Sequence, residues 1–202
     1  MIQADPDQGT WQFMSAGLIS GSPTHDFKDD LESSVYVLLW TTLMYSVVPN
    51  KSLVQSTLSN VLDPEPYESK GGVTKIDYLK GGTFMDRVEF PDRPALHQLL
   101  SRLGKLFAVR YENKPTEPER EAAQQVFNAG LIDAYNLSYA CQYDLRWEQL
   151  NSHDATIQLF ETALQDRSAW PDGDVAEEQN FGSKKSTRPV TKSCWRRIDS
   201  NV

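Results

Sequence analysis

The chain has 202 residues, of which 39% are hydrophobic and 24% charged, with a net charge of −8. That is one ordinary domain's worth of sequence, at the low edge of globular hydrophobicity, so a tail outside the core is expected. The acidic balance argues against a general nucleic-acid or anionic-membrane binder.

In chain order, residues 1–14 mix the turn formers Asp5-Pro6-Asp7 and Gly9 with Trp11, Phe13 and Met14, and read as an extended loop that docks aromatics on a core. Gly21, Ser22 and Pro23 mark a turn. A helix is predicted from about Asp29 or Asp30 to about Val48, because Asp30 and Ser33 suit a helix start and Pro49-Asn50 a stop. Its apolar residues fall almost all round, which predicts the least exposed helix of the chain. At 14 residues, with Thr41, Thr42 and Ser46 inside it, Val35 to Val48 falls short of the roughly 20 apolar residues of a membrane span.

Residues 51–62 form a shorter amphipathic piece. Residues 63–94, rich in Pro, Gly and charge, read as a long loop with short helical turns, and Gly71-Gly72 and Gly81-Gly82 as loop glycines. Leu96, Leu99, Leu100, Leu103, Leu106, Phe107 and Tyr111 then line one face of an α-helix. Residues 119–147 are helical in composition, interrupted near Gly130, with Val126, Phe127, Leu131, Ile132, Tyr135, Leu137 and Tyr139 expected to be buried. Asn151 or Ser152 is suited to cap a last helix. The fold class is mainly α, with a body over 1–172 and a disordered tail over 173–202. Residues 183–202 carry six basic residues and one acid, a basic tail on an acidic body.

Chemistry-bearing motifs are few. His25, His97 and His153 have no second His or Cys at metal-ligand spacing, and no metal site is expected. The glycine pairs match neither GxGxxG nor GxxxxGK[ST], and neither GxSxG nor HExxH occurs. Cys141 and Cys194 lie too far apart for a metal or redox motif. No charged segment leads into an apolar run at the start, so a reducing intracellular setting, cytoplasmic or nuclear, is the simplest reading.

One constellation is more specific. Gly9-Thr10-Trp11-Gln12-Phe13-Met14-Ser15 is followed by Asp29-Asp30-Leu31-Glu32-Ser33-Ser34-Val35-Tyr36-Val37-Leu38-Leu39-Trp40. The pair resembles the end of a protein-kinase activation segment and the central helix of the C-terminal lobe, in the form found in the fungal-type protein kinase family. Gly71-Gly72 before Lys75-Ile76-Asp77-Tyr78-Leu79, and Trp170-Pro171, add to the resemblance over about residues 8–172. It implies a C-lobe portion of a kinase-like fold, without the N-lobe and catalytic loop. It also implies a P+1 loop at Gly9, Thr10, Phe13, Met14 and Ser15, and a central-helix anchor at Asp30 and Ser33. Thr10 would bond to catalytic-loop groups, and Asp30 would cap that loop's amides. Where most kinases place the glutamate of an Ala-Pro-Glu motif, this sequence has Gly17, so the carboxylate that pairs with a distal arginine is missing there.

The family activity is ATP-dependent Ser/Thr phosphorylation. Phosphoryl transfer needs a Gly-rich loop, a β3 lysine, an HRD aspartate with its Asn, and a DFG aspartate for Mg²⁺. None of these motifs occurs in the 202 residues. The expectation is therefore a catalytically incompetent, truncated kinase domain, with ATP and Mg bound only by a full-length form. The alternatives are a pseudokinase-like helical interaction module and an unrelated helical adaptor. The expected partner is a protein substrate or another protein, not nucleic acid or membrane. Self-association is expected through the lobe surface that an upstream half would cover.

Overall fold

The computed structural model describes residues 11–62, 71–81, 90, 93–173, 176 and 178–179. Gly9 and Thr10, and nearly all of the tail expected from 173 onward, lie outside these residues. Among them regular structure is entirely helical, and the mainly α expectation holds. No described helix is long and apolar enough to cross a membrane.

A 3₁₀ turn at Trp11–Phe13 leads into the short α1 (Ala16–Ile19) and then α2 (Phe27–Tyr45). α2 starts earlier than expected. The Asp26 carboxylate accepts from Lys28 N–H, and Asp29 reaches back to Asp26 N–H, a reciprocal capping box that sets the boundary two to three residues before the predicted one. It also ends earlier. Ser46 is already extended, and Asn50 caps the next helix, α3 (Lys51–Thr57), by accepting from Leu53 N–H. A π turn at Leu58–Leu62 follows.

The glycine-rich stretch contains α4 (Gly71–Gly81), which corrects the loop reading. Gly71-Gly72 opens the helix because α1 passes very close. A Cβ on Gly72 would lie 2.1 Å from Ser20 Oγ and 3.0 Å from the Ala16 carbonyl, so a larger residue would require Ser20 to rotate and α1 to give way by a few tenths of an ångström.

α5 (Pro94–Ala108) has the predicted apolar stripe, with Pro94 in its first turn. It packs against α2, α4 and α9 and is the spine of the molecule. Eight of its fifteen residues are buried, against seven of nineteen in α2, so α5 takes the place expected of α2 as the most buried helix. The reason is that Val37 and Thr41 leave one side of α2 open, whereas α5 is flanked on three sides. The core joins Tyr36, Leu39 and Leu43 to Leu100, Leu103, Phe107 and Leu150, all with no exposed surface.

α6 (Glu117–Asn128) begins with a Thr116–Glu119 capping box and stops at Gly130, whose φ of +76° suits glycine. α7 (Ile132–Asn136) and α8 (Tyr139–Gln149) complete a hairpin. Its apolar residues are not buried as expected: Phe127, Leu131, Ile132, Leu137 and Tyr139 are all exposed, Leu137 to 80%. α9 (Asp154–Gln165) lies against α5, and the Trp170 indole donates to the Ala163 carbonyl. Beyond the expected boundary at 172, Gln179 docks on the end of α2. Its N–H donates to the Met44 carbonyl (2.8 Å) and its side chain to the Ser46 carbonyl (2.7 Å).

Candidate functional site

The segment 11–20 is fastened to the helical body by three charged side chains, Glu32 and Asp29 from α2 and Lys75 from α4. Glu32, on α2, has no exposed surface. Its Oε1 accepts from Ala16 N–H (2.8 Å) and Tyr36 O–H (3.0 Å), and its Oε2 from Tyr111 O–H (2.7 Å) and Arg110 (2.6 Å). Asp29, one turn earlier, accepts from Ser15 O–H (2.7 Å), Asp26 N–H (3.0 Å) and Arg110 (2.6 Å). Burial opposes ionisation of Asp29, but these donors outweigh it and hold the carboxyl below its ordinary value. Burial also works against the Arg110 charge, and Glu32 and Asp29 overcome it.

Arg110 and Tyr111 follow directly on α5, so the spine of the fold delivers them. Arg110 also donates to the Lys28 carbonyl, and Tyr111 O accepts from Gly17 N–H (3.0 Å). This is where Gly17 acquires meaning. Its absent side chain points at Tyr111 Oη, Asp29 Oδ1 and Arg110 Nη2, at 3.6 to 3.9 Å from an ideal Cβ. A distal arginine does lie beneath this position, but its carboxylates come from α2 instead of from residue 17.

The third fastening is Lys75 on α4, which has no exposed surface. Its Nζ donates to the carbonyls of Met14 (2.6 Å), Gln12 (2.9 Å) and Trp11 (3.5 Å) and lies 4.3 Å from the centre of the Tyr36 ring. Burial lowers its proton affinity to about 7, with Glu32 opposing in part. Beside the fastened segment, a cavity of about 170 Å³ is walled by Gln12, Trp40, Leu58, Ser59 and Leu62. The Trp11 indole N–H is buried and has no acceptor among the described residues.

Of the residues expected to act here, Phe13, Met14 and Ser15 come together on this segment. Phe13 meets the Trp40 ring edge-on at 6.1 Å, the Met14 carbonyl takes the Lys75 bond, and Ser15 caps α1 while bonding Asp29. Asp30 is not with them. It points outward, 73% exposed, and pairs with His25 at 3.1 Å, while the inward carboxylate is its neighbour Asp29 at 3%. The capping box explains the difference, since it places Asp29 in the N3 position facing the segment. Ser33 is half-buried. No group of His, Cys, Asp and Glu suited to a metal occurs among the described residues.

Residues 2–42 match the fungal protein kinase family. The match takes in the fastened segment and most of α2, and residues 43–202 lie outside it. No curated protein and no solved structure matches. Sequence reading missed Lys75, Glu32, Arg110 and Tyr111. A partial signal existed for the first: Gly72, Lys75 and Leu79 share one helix face, which sets a lysine on an otherwise buried stripe.

Proposed function

We propose that this chain forms the substrate-side, C-lobe part of a fungal-type protein kinase domain, and that its own role is to dock a protein instead of transferring phosphate. The carrying observation is that the family-matched segment is the one held by Lys75, Glu32 and Asp29, with a cavity beside it. A cavity of 170 Å³ is below the size of small-molecule sites and suits one side chain of a peptide. The Trp11 N–H, without an acceptor among the described residues, is a donor available once the segment shifts to meet a partner. The family activity, ATP-dependent Ser/Thr phosphorylation, requires positioning groups that this sequence does not carry, so ATP and Mg are not its ligands in this reading.

The test is a fluorescent Ser/Thr peptide library screened against the purified chain, with Ser59→Trp to fill the cavity. Ser59 is exposed, so the variant should fold. Loss of peptide binding by roughly tenfold or more, about 1.4 kcal/mol, is expected in the variant, with no phosphate transfer from ATP by either protein. Transfer by the purified chain, or peptide binding indifferent to Ser59→Trp, would overturn the reading.

A second reading, a helical interaction module independent of any kinase activity, is favoured by the exposed apolar residues Phe127, Leu131, Ile132 and Leu137. In that reading α6 and α7 carry the contact, including contact with another copy. Light scattering of Leu131→Asp/Leu137→Asp beside the unaltered chain distinguishes them. Only the module reading requires the double variant to lose association.

A further inference from the structure

A furrow runs between α5 and α9, made of two cavities of about 260 and about 350 Å³ that share Arg102, Leu159 and Thr162. Its floor is apolar: Leu99 and Leu106 are buried, and Ala155, Leu159 and Ala163 are half-buried. The smaller cavity is walled by Arg102, Lys105 and Arg146. Gln149, Gln158 and Thr162 are its neutral polar groups, and no acid lines it. The larger cavity holds one acid, Asp166, whose carboxylate already accepts from the N–H and the O–H of Ser168.

Three cations with no acid among them stand out in a chain whose net charge is −8. Arg146 is accounted for, since Glu112 accepts from both its terminal nitrogens at 2.6 Å. Arg102 and Lys105 are exposed and form no ion pair among the described residues. Lys105 stands in the last turn of α5, where a cation suits the partial negative charge of the helix end. That explanation does not reach Arg102, one turn earlier, whose charge faces that of Lys105 at i, i+3 and repels it. The facing helix α9 carries Asp154 and Glu161, yet neither lines the furrow.

We propose that this furrow docks an acidic peptide segment of a partner protein, its carboxylates on Arg102 and Lys105 and its apolar side chains on Ala155 and Leu159. Charge complementarity sets the sign of the partner. A carboxylate beside two exposed cations gains charge-assisted hydrogen bonds, and the guanidinium of Arg102 can grip both its oxygens. The apolar floor adds contacts that a free anion has no atoms to make. The amides of Gln149 and Gln158 and the hydroxyl of Thr162 supply donors and acceptors for a peptide backbone. A nucleic acid fits less well, because its affinity comes from many phosphate contacts and here two cations are uncompensated on an acidic molecule. The furrow shares no residue with the cavity beside segment 11–20, so the failure of either reading leaves the other standing.

The experiment selects peptides from a random pool on the immobilised full chain and titrates the selected ones by fluorescence anisotropy. The selected set should include peptides rich in aspartate or glutamate together with leucine, isoleucine or phenylalanine. Arg102→Glu/Lys105→Glu, at two exposed positions, should weaken the binding of those peptides by about tenfold or more. Thr162→Trp, which fills the furrow from the exposed side of α9, should weaken it as well, and Ser59→Trp should leave it unchanged. Should the charge-reversed variant not fold by circular dichroism, Arg102→Gln/Lys105→Gln decides in the same way. Absence of acidic peptides from the selected set, or binding indifferent to the furrow variants, would overturn the proposal. So would inorganic phosphate bound as tightly as the peptides, which would make this a free-anion site, or an oligonucleotide bound more tightly, which would assign it to nucleic acid.

Discussion

The corner around segment 11–20 and the hairpin α6–α8 use opposite means of attachment. In the corner, charged groups are buried and every one of them bonds: Asp29 and Glu32 share Arg110, and Lys75 takes carbonyls. In the hairpin, apolar side chains are exposed and the fastenings are polar ones nearer the surface. Arg146 grips Glu112 through two bonds of 2.6 Å, Arg120 pairs with Asp144, and the Tyr139 hydroxyl donates to the Asn113 carbonyl. The lesson is that apolarity does not decide burial in this chain. A strip of hydrophobic residues is buried where a facing helix exists, as for α5, and stays in water where none does.

The sharpest way to break the contrast is to remove Arg110. Arg110→Met leaves two buried carboxylates without their cation and should cost about 3–5 kcal/mol in urea unfolding. A cost below about 1 kcal/mol would mean that the corner is not held by charge. Leu103→Ala, in the spine, should cost about 2–5 kcal/mol by cavity formation. Leu137→Ser, on the hairpin, should fall within about 0.5 kcal/mol of zero. Similar costs for the two leucines would erase the distinction between the regions.

Acid gives a further separation. Asp29 has a lowered proton affinity in the folded chain, so its contribution is complete above its unfolded value of about 3.9 and is lost as pH falls through the lower folded value. Exchange protection of residues 15–18 should therefore fail in acid before that of α8. Simultaneous loss in both would argue against a local cause. Gly17→Ala is also expected to be mild. Its Cβ meets only ordinary van der Waals neighbours, and helix propensity favours alanine, so stability should change by no more than about 1 kcal/mol in either direction.

The long stripe of α5 was legible because seven residues repeat a single helical face, and the start and composition of α2 gave its place to within a few residues. What escaped was whatever depends on two distant segments meeting. α4 reads as a loop because its glycines look like turn formers, whereas Gly72 is there to let α1 approach. The choice of Asp29 over Asp30 turned on one capping box, and a shift of one residue on a helix turns a side chain by about 100°. Arg110 lies 81 positions from Asp29, and no local pattern announces that pairing. Val126 through Tyr139 looked like core because they are apolar and helical, and sequence holds no record of a facing surface that the fold does not supply.

Gly17 carries a consequence for how this frame can drift. The site beneath it holds one guanidinium already shared by two carboxylates. Placing a glutamate at 17 would add a third negative charge with no donor left over, unless Asp29 or Glu32 gave up its own. Positions 17, 29 and 32 should therefore be coupled: Gly17→Glu should be better tolerated in a chain that also carries Asp29→Asn than in one that keeps both acids of α2.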